Sequence, residues 1–227
     1  MLPITAYKDA HKGETAIIIG NGPSLMGVPV EFLQSYLSFG ANRIWRLFWP
    51  TYYVCTDPLD VEKNLEVIKA MLTPKFIRAG FGVGYPIDVI LDNHHPDWNS
   101  FTPDPTRPMY DGCTVSYVAL ELAYWMGFET VLLVGVDHRY TWDGPRLQTI
   151  VSDGSPDLNH FAPDYLKPGE KWQPPNLKRM EHAYAHAREA YEADGRRIIN
   201  LTANSALEVF EKQELSLWQR QSITAKF

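Results

Sequence analysis

The spacing of apolar and polar positions divides this chain into short buried strands and longer helices. Residues 15–20 (TAIIIG) form an unbroken apolar run rich in β-branched side chains. A strand with one wet face alternates, so an unbroken run predicts a strand covered on both faces, as in a parallel sheet. The run stops at Gly20-Asn21-Gly22-Pro23-Ser24. Pro23 suits the first turn of a helix, predicted from about Ser24 or Pro29 to Ser38. Residues 52–56 (YYVCT) predict a second buried strand that ends at Asp57-Pro58. Residues 61–72 carry helical spacing, and two weaker strands are predicted at 75–78 and 89–91. Residues 93–108, rich in Pro, Asp and His, predict a loop.

The second half has the clearest pattern. Residues 114–126 (TVSYVALELAYWM) predict an apolar helix, entered through Gly112-Cys113 and stopped by Gly127. Residues 130–136 (TVLLVGV) predict a buried strand that ends at Asp137. Residues 140–175 show little periodicity and many Pro and Gly, and predict a long lid. A polar amphipathic helix over 176–194, a stop at Gly195, a strand over 197–201 and a closing helix over 206–219 complete the reading. Alternating strands and helices predict one α/β domain over 1–227. Its expected form is Rossmann-like and doubly wound, a mostly parallel sheet with helices on both faces.

Such sheets bind ligands at the C-terminal ends of their strands. The residues that follow each strand are therefore the candidates: the Gly20–Ser24 turn, Asp57, Asp137-His138 and Thr202-Asn204-Ser205. A Gly-x-Gly turn leading into a helix presents N–H groups to a phosphate. A plain tight turn has the same spacing. The third glycine of the dinucleotide fingerprint is replaced by Leu25, and no phosphate-binding loop with Gly-Lys-Ser/Thr is present. Asp57 and Asp137 are open to three roles: holding magnesium, bonding a ribose or capping a helix. His160, in the lid, is a candidate general base. His182 and His186 have ligand spacing on a helix but lack the accompanying glutamate, and read as a solvated face. The loop aromatics Tyr140, Trp142, Tyr165 and Trp172 are candidates to stack on a base or sugar.

Composition narrows the classes. The chain has 227 residues, 45% of them apolar, with a net charge of −6 and acids and bases interspersed. That balance argues against general affinity for nucleic acid or anionic membrane. The two cysteines, Cys55 and Cys113, form no metal-ligand pair and fit a reducing cytoplasm. No apolar run has the length of a membrane span, and the opening residues do not form a signal peptide. Oligomeric state leaves no mark in the sequence.

IIIGNGPSL, Asn42, TVSYVALELAYWMGFETVLLVGVDHRY, NHFAPDY and INLTANSALEVF form an ordered set. The set resembles the 6-hydroxymethylpterin diphosphokinase MptE-like family and is more distantly similar to bacterial CMP-sialic-acid sialyltransferases. The sialyltransferase likeness implies a metal-free transfer from a CMP-activated sugar to a glycan or protein hydroxyl. Gly20, Asn21, Gly22, Pro23 and Ser24 would form the nucleotide turn. Asn42, Thr114 and Ser116 would hold the donor, Tyr140 would support the leaving phosphate, and His160 would be the base. The diphosphokinase likeness implies ATP at the Gly20 turn, with magnesium on Asp57 and Asp137 and cationic help from Arg43, Arg139 or Lys167. A nucleotide-sugar-binding module without catalysis is a third reading.

Overall fold

The computed structural model describes residues 3–80, 87–89, 101–142, 144 and 148–224. The strands are β1 (Thr15–Ile19), β2 (Leu37–Ala41), β3 (Tyr52–Cys55), β4 (Lys75–Arg78), β5 (Ile87–Val89), β6 (Thr130–Val134), β7 (Ile150–Val151), β8 (Lys171–Trp172), β9 (Arg197–Asn200) and β10 (Glu211–Lys212). The helices are α1 (Val30–Leu33), α2 (Pro58–Lys63), α3 (Leu65–Ala70), α4 (Val115–Trp125), α5 (Leu177–Ala193) and α6 (Leu215–Thr224). Eight strands form one sheet in the order β10-β9-β6-β1-β2-β3-β4-β5, and every pairing in it is parallel. β7 and β8 form a separate antiparallel pair inside the lid.

The apolar run of β1 is explained by its burial. Ala16 and Ile18 face one core with α4 and α5, while Ile17 and Ile19 face the other with α1, α2 and α3. β6 divides in the same way, Val131 and Leu133 to one side and Leu132 and Val134 to the other. Successive side chains point to opposite faces, so only a continuous apolar run fills both layers. The doubly wound expectation is met. No described helix is long and apolar enough to cross a membrane.

Four expected elements differ. The helix expected to reach Ser38 is instead a 3-10 turn (Pro23–Gly27), the short α1, and then β2. β2 contains Ser38 and Gly40, which weakens its strand signal. Tertiary packing requires both small residues: a Cβ on Gly40 would lie 2.7 Å from Ile44 and 2.8 Å from Pro50. The helix expected over 61–72 breaks at Asn64, whose Nδ2 donates back to the Asp60 carbonyl at 2.8 Å. The closing helix is shifted: Leu207 and Phe210 insert into the core, β10 adds to the sheet edge, and α6 follows. The expected strand at 89–91 is seen as β5 ending at Val89, and its last two residues lie outside the described ones.

The glycines of the first turn answer a packing need. A Cβ on Gly20 would lie 2.3 Å from the Gly135 carbonyl oxygen, and one on Gly22 would lie 1.9 Å from Asp137 Oδ2. The turns after β1 and β6 press backbone against backbone. Gly20→Ala is expected to destabilise by about 1–3 kcal/mol, seen as a lower urea midpoint with an unchanged m-value. An unchanged midpoint would show that the two turns are not in contact.

Candidate functional site

The chain runs outward from β1 to β5, then returns to lay β6 on the other side of β1. The order reverses between these two strands, and the turns after them open a crevice at their C-terminal ends. An inner cavity of about 100 Å³ lies there. An outer cavity of about 470 Å³ shares Asn42, Thr114, Val115, Tyr140 and Met180 with it, so the two form one cleft. The cleft collects many of the residues singled out from sequence, Arg139 among them. Gly20, Asn21, Gly22, Asn42, Thr114, Ser116, Asp137, His138, Tyr140 and His160 line the inner part, and Asp57 lines the outer. Pro23 and Ser24 do not line it.

Ser24 shows why. Its N–H donates to Asp137 Oδ1 at 3.2 Å and its hydroxyl to Oδ2 at 2.7 Å. The start of that 3-10 turn is already capped by an internal carboxylate. A phosphate placed on Ser24 would have to displace Asp137. The longer α4 points its N-terminus into both cavities through Thr114 and Val115. Thr114 caps it by accepting from the Ser116 N–H at 3.4 Å. Aligned peptide dipoles place positive potential at that end. Thr102 donates its N–H and hydroxyl to the buried Glu121 of α4, at 2.7 and 3.0 Å, and accepts at 2.8 Å from the N–H of Tyr110, which lines the outer cavity.

Three residues that line the inner cavity, Asn21, His138 and Tyr184, each carry a buried polar atom without a hydrogen bond, and two of these atoms are acceptors. His138 Nε2 donates to Glu181 at 3.1 Å. Burial lowers the His138 pKa against the pull of Glu181, so the ring is neutral near pH 7 and its Nδ1 is an acceptor. That Nδ1 and Asn21 Oδ1 are both buried with no hydrogen bond. Asn21 Nδ2 is used, donating to the Ala41 carbonyl at 3.1 Å. Buried acceptors without donors are costly, and a ligand hydroxyl or amino group would satisfy them. Tyr140 supplies the opposite polarity: burial, then Asp157, push its phenol up to about 12, so it remains an O–H donor. Tyr184 lies beside Thr114 and Ser116, and burial likewise lifts it to about 12.

The backbone is unusual here too. Asn42, Cys113 and His138 have φ of 49°, 60° and 55°, a left-handed conformation that non-glycine residues rarely adopt. All three line the cleft. Strain of this kind concentrates where geometry is set for a ligand.

The lid is fastened down. The Phe161 N–H donates to the Asn21 carbonyl at 2.8 Å, and the Phe161 and Tyr165 side chains are buried. Arg43, 4% exposed, donates to Asp60 at 3.1 Å, to Glu170 at 2.8 Å and to the Tyr165 carbonyl. Burial opposes its charge, but Asp60 and Glu170 outweigh burial and raise its pKa. Burial lifts Asp60 further than Arg43 lowers it, whereas Glu170, nearer solvent, ends lowered. The short contacts of both carboxylates to one guanidinium favour the ionised cluster. Arg43, expected as a phosphate ligand, is thus occupied in holding the lid.

His160 lies within this lid. Its ring stacks on Tyr165, with centroids 4.0 Å apart and planes within 4°. Its Nδ1 lies 2.8 Å from Asp157 Oδ2. With Nδ1–H donated to the carboxylate, Nε2 carries the lone pair, the arrangement a general base requires. Burial pushes the Asp157 carboxyl up, but its bonds from His160 and Asn159 prevail and hold it below the usual range. A depressed carboxyl stabilises the fold above its unfolded pKa and loses that contribution as pH falls through the folded value. The stability gap between wild type and Asp157→Asn is therefore expected near neutral pH and should close below about pH 4. A gap unchanged at pH 3 would contradict the pairing.

Asp57 and Asp137 stand apart in function. Asp57 Oδ1 accepts from the Leu59 N–H at 2.9 Å and caps α2, on the outer cavity. Asp137 lines only the inner one and is bound by Ser24. Among the described residues, no group of three or more His, Cys, Asp or Glu is placed to hold a metal ion. Thr202 and Ser205 also prove structural: the Thr202 hydroxyl accepts from the Val136 N–H at 3.0 Å, and the Ser205 hydroxyl donates to the Val136 carbonyl at 2.7 Å.

The chain has no significant match to any protein-family model, curated protein or solved structure. The chemistry of the cleft is therefore read from its own residues. Sequence reasoning passed over Asp157, whose pairing with His160 three residues on shows only in the folded lid. It also passed over Met180 and Tyr184, which look like ordinary core positions of α5 but also line the inner cavity.

Proposed function

We propose that this chain is a transferase that moves a sugar from a CMP-activated donor to a hydroxyl of a glycan or protein. The observation that carries this reading is the oriented Asp157–His160 pair, set at the same inner cavity as the N-terminus of α4. The outer cavity has room for a nucleotide, and the α4 terminus suits its phosphate. Asn42, at the junction, bonds the donor, its Oδ1 being held by the Cys55 thiol at 3.6 Å. His160 Nε2 removes the proton of the acceptor hydroxyl. The freed oxygen bonds the anomeric carbon as the bond from that carbon to the phosphate oxygen breaks. The electron pair leaves on CMP, where the Tyr140 hydroxyl and the α4 terminus offset its charge. The imidazolium then returns its proton to solvent.

The pterin diphosphokinase reading needs two carboxylates on one metal, whereas Asp57 is engaged in capping α2 and Asp137 is bound by Ser24. A binding module without catalysis does not need an oriented imidazole. Incubation with a CMP-activated nonulosonic acid, without added metal, tests the transferase reading. Chromatography should show CMP released faster than in buffer, and faster still with an acceptor glycan. Release at the buffer rate under both conditions would overturn it.

A further inference from the structure

A further opening, of about 380 Å³, is lined by residues of the lid. Trp142 and Trp172 form one wall, edge to face, with ring centroids 5.6 Å apart. Both indoles are half-buried, so each keeps accessible surface. Gly144 packs on Trp142, where a Cβ would lie 2.5 Å from the ring, and this fixes the indole. Polar groups from Asp153, Ser155, Asp157 and Asn159 complete the lining, and the described lining contains no Lys, Arg or His.

The lining selects a class of ligand. Asp153 offers its carboxylate with no cation in the described lining, which disfavours phosphate and carboxylate groups, while Asp157, 4% exposed, is turned onto His160. An indole face suits the C–H face of a pyranose, and the surrounding oxygens accept from sugar hydroxyls. The position is equally informative. Asn159 lines both this opening and the inner cavity of the cleft. Asp157 lines this opening while holding His160, which lines the other. The Thr141 N–H, donating to Asn159 Oδ1 at 2.7 Å, ties the seam between them.

We propose that this opening is a subsite for a neutral carbohydrate and seats the acceptor sugar against the Asp157–His160 segment. Its role as an acceptor site rests on the transferase reading, but its affinity for sugar does not. Calorimetry and tryptophan fluorescence on the full chain test it, with lactose, maltose and cellobiose as neutral probes and glucuronic acid as the anionic one. At least one neutral disaccharide should bind in the millimolar range and the acid more weakly. Trp172→Ala and Trp142→Ala should each weaken that binding by about tenfold or more while CMP affinity is kept. Trp172→Phe keeps a ring face and should retain part of the affinity, which separates a lost contact from a lost fold. No binding of any neutral sugar, with CMP still bound, would overturn the subsite alone. Sugar affinity unchanged in both alanine variants, or a CMP signal lost with Trp172, would also overturn it. Sugar binding in a protein that ignores CMP would keep the subsite and overturn the transferase reading.

Discussion

Arg43→Met is expected to cost about 3–5 kcal/mol of stability and to free the lid. Removing one partner of a buried ion pair leaves the others desolvated and unpaired, which is more damaging than the pair itself is stabilising. Here two carboxylates lose their counter-charge together, and the Tyr165 carbonyl loses its donor. The guanidinium also lies over the Tyr165 ring, 5.1 Å from its centroid, so the stack that carries His160 loses support as well. Arg43→Lys keeps one charge but not the planar fork, and an intermediate loss is expected. Denaturant titration gives the stability, and limited proteolysis of residues 157–170 gives the lid. A methionine variant within about 0.5 kcal/mol of wild type, with the lid equally protected, would show that Arg43 does not hold it.

His160→Ala is expected to lower transfer by about 10²–10⁴-fold with little change in nucleotide affinity. In the proposed mechanism the imidazole would take the acceptor proton, whereas Asn42 and the α4 end would hold the nucleotide. Asp157 acts through His160, so Asp157→Asn should lower kcat while leaving the KM for the donor in place. Unimpaired turnover in His160→Ala would remove the base from the mechanism.

Much of the fold was readable because β1 and β6 carry the unbroken apolar runs that only two-faced burial explains. β2 was not, since its glycine and serine are chosen by contacts with Ile44, Pro50 and Thr51 in the segment that follows it, which a spacing pattern does not register. The positions of the candidate site were also readable, because ligands gather at strand ends in such a sheet. Their roles were less so. Gly20 and Gly22 looked like a phosphate turn, yet their missing side chains make room for Gly135 and Asp137. Ser24 looked like a ligand and is bound to Asp137. Asp157 became visible only when the lid folded its carboxylate onto His160, a pairing that spacing alone does not announce.

Calorimetric titration with CMP and with ATP, each with and without magnesium, tests the nucleotide site most directly. CMP should bind with an affinity indifferent to magnesium, and Thr114→Val should weaken it without unfolding the protein. ATP binding that requires magnesium, with CMP inert, would contradict the assignment.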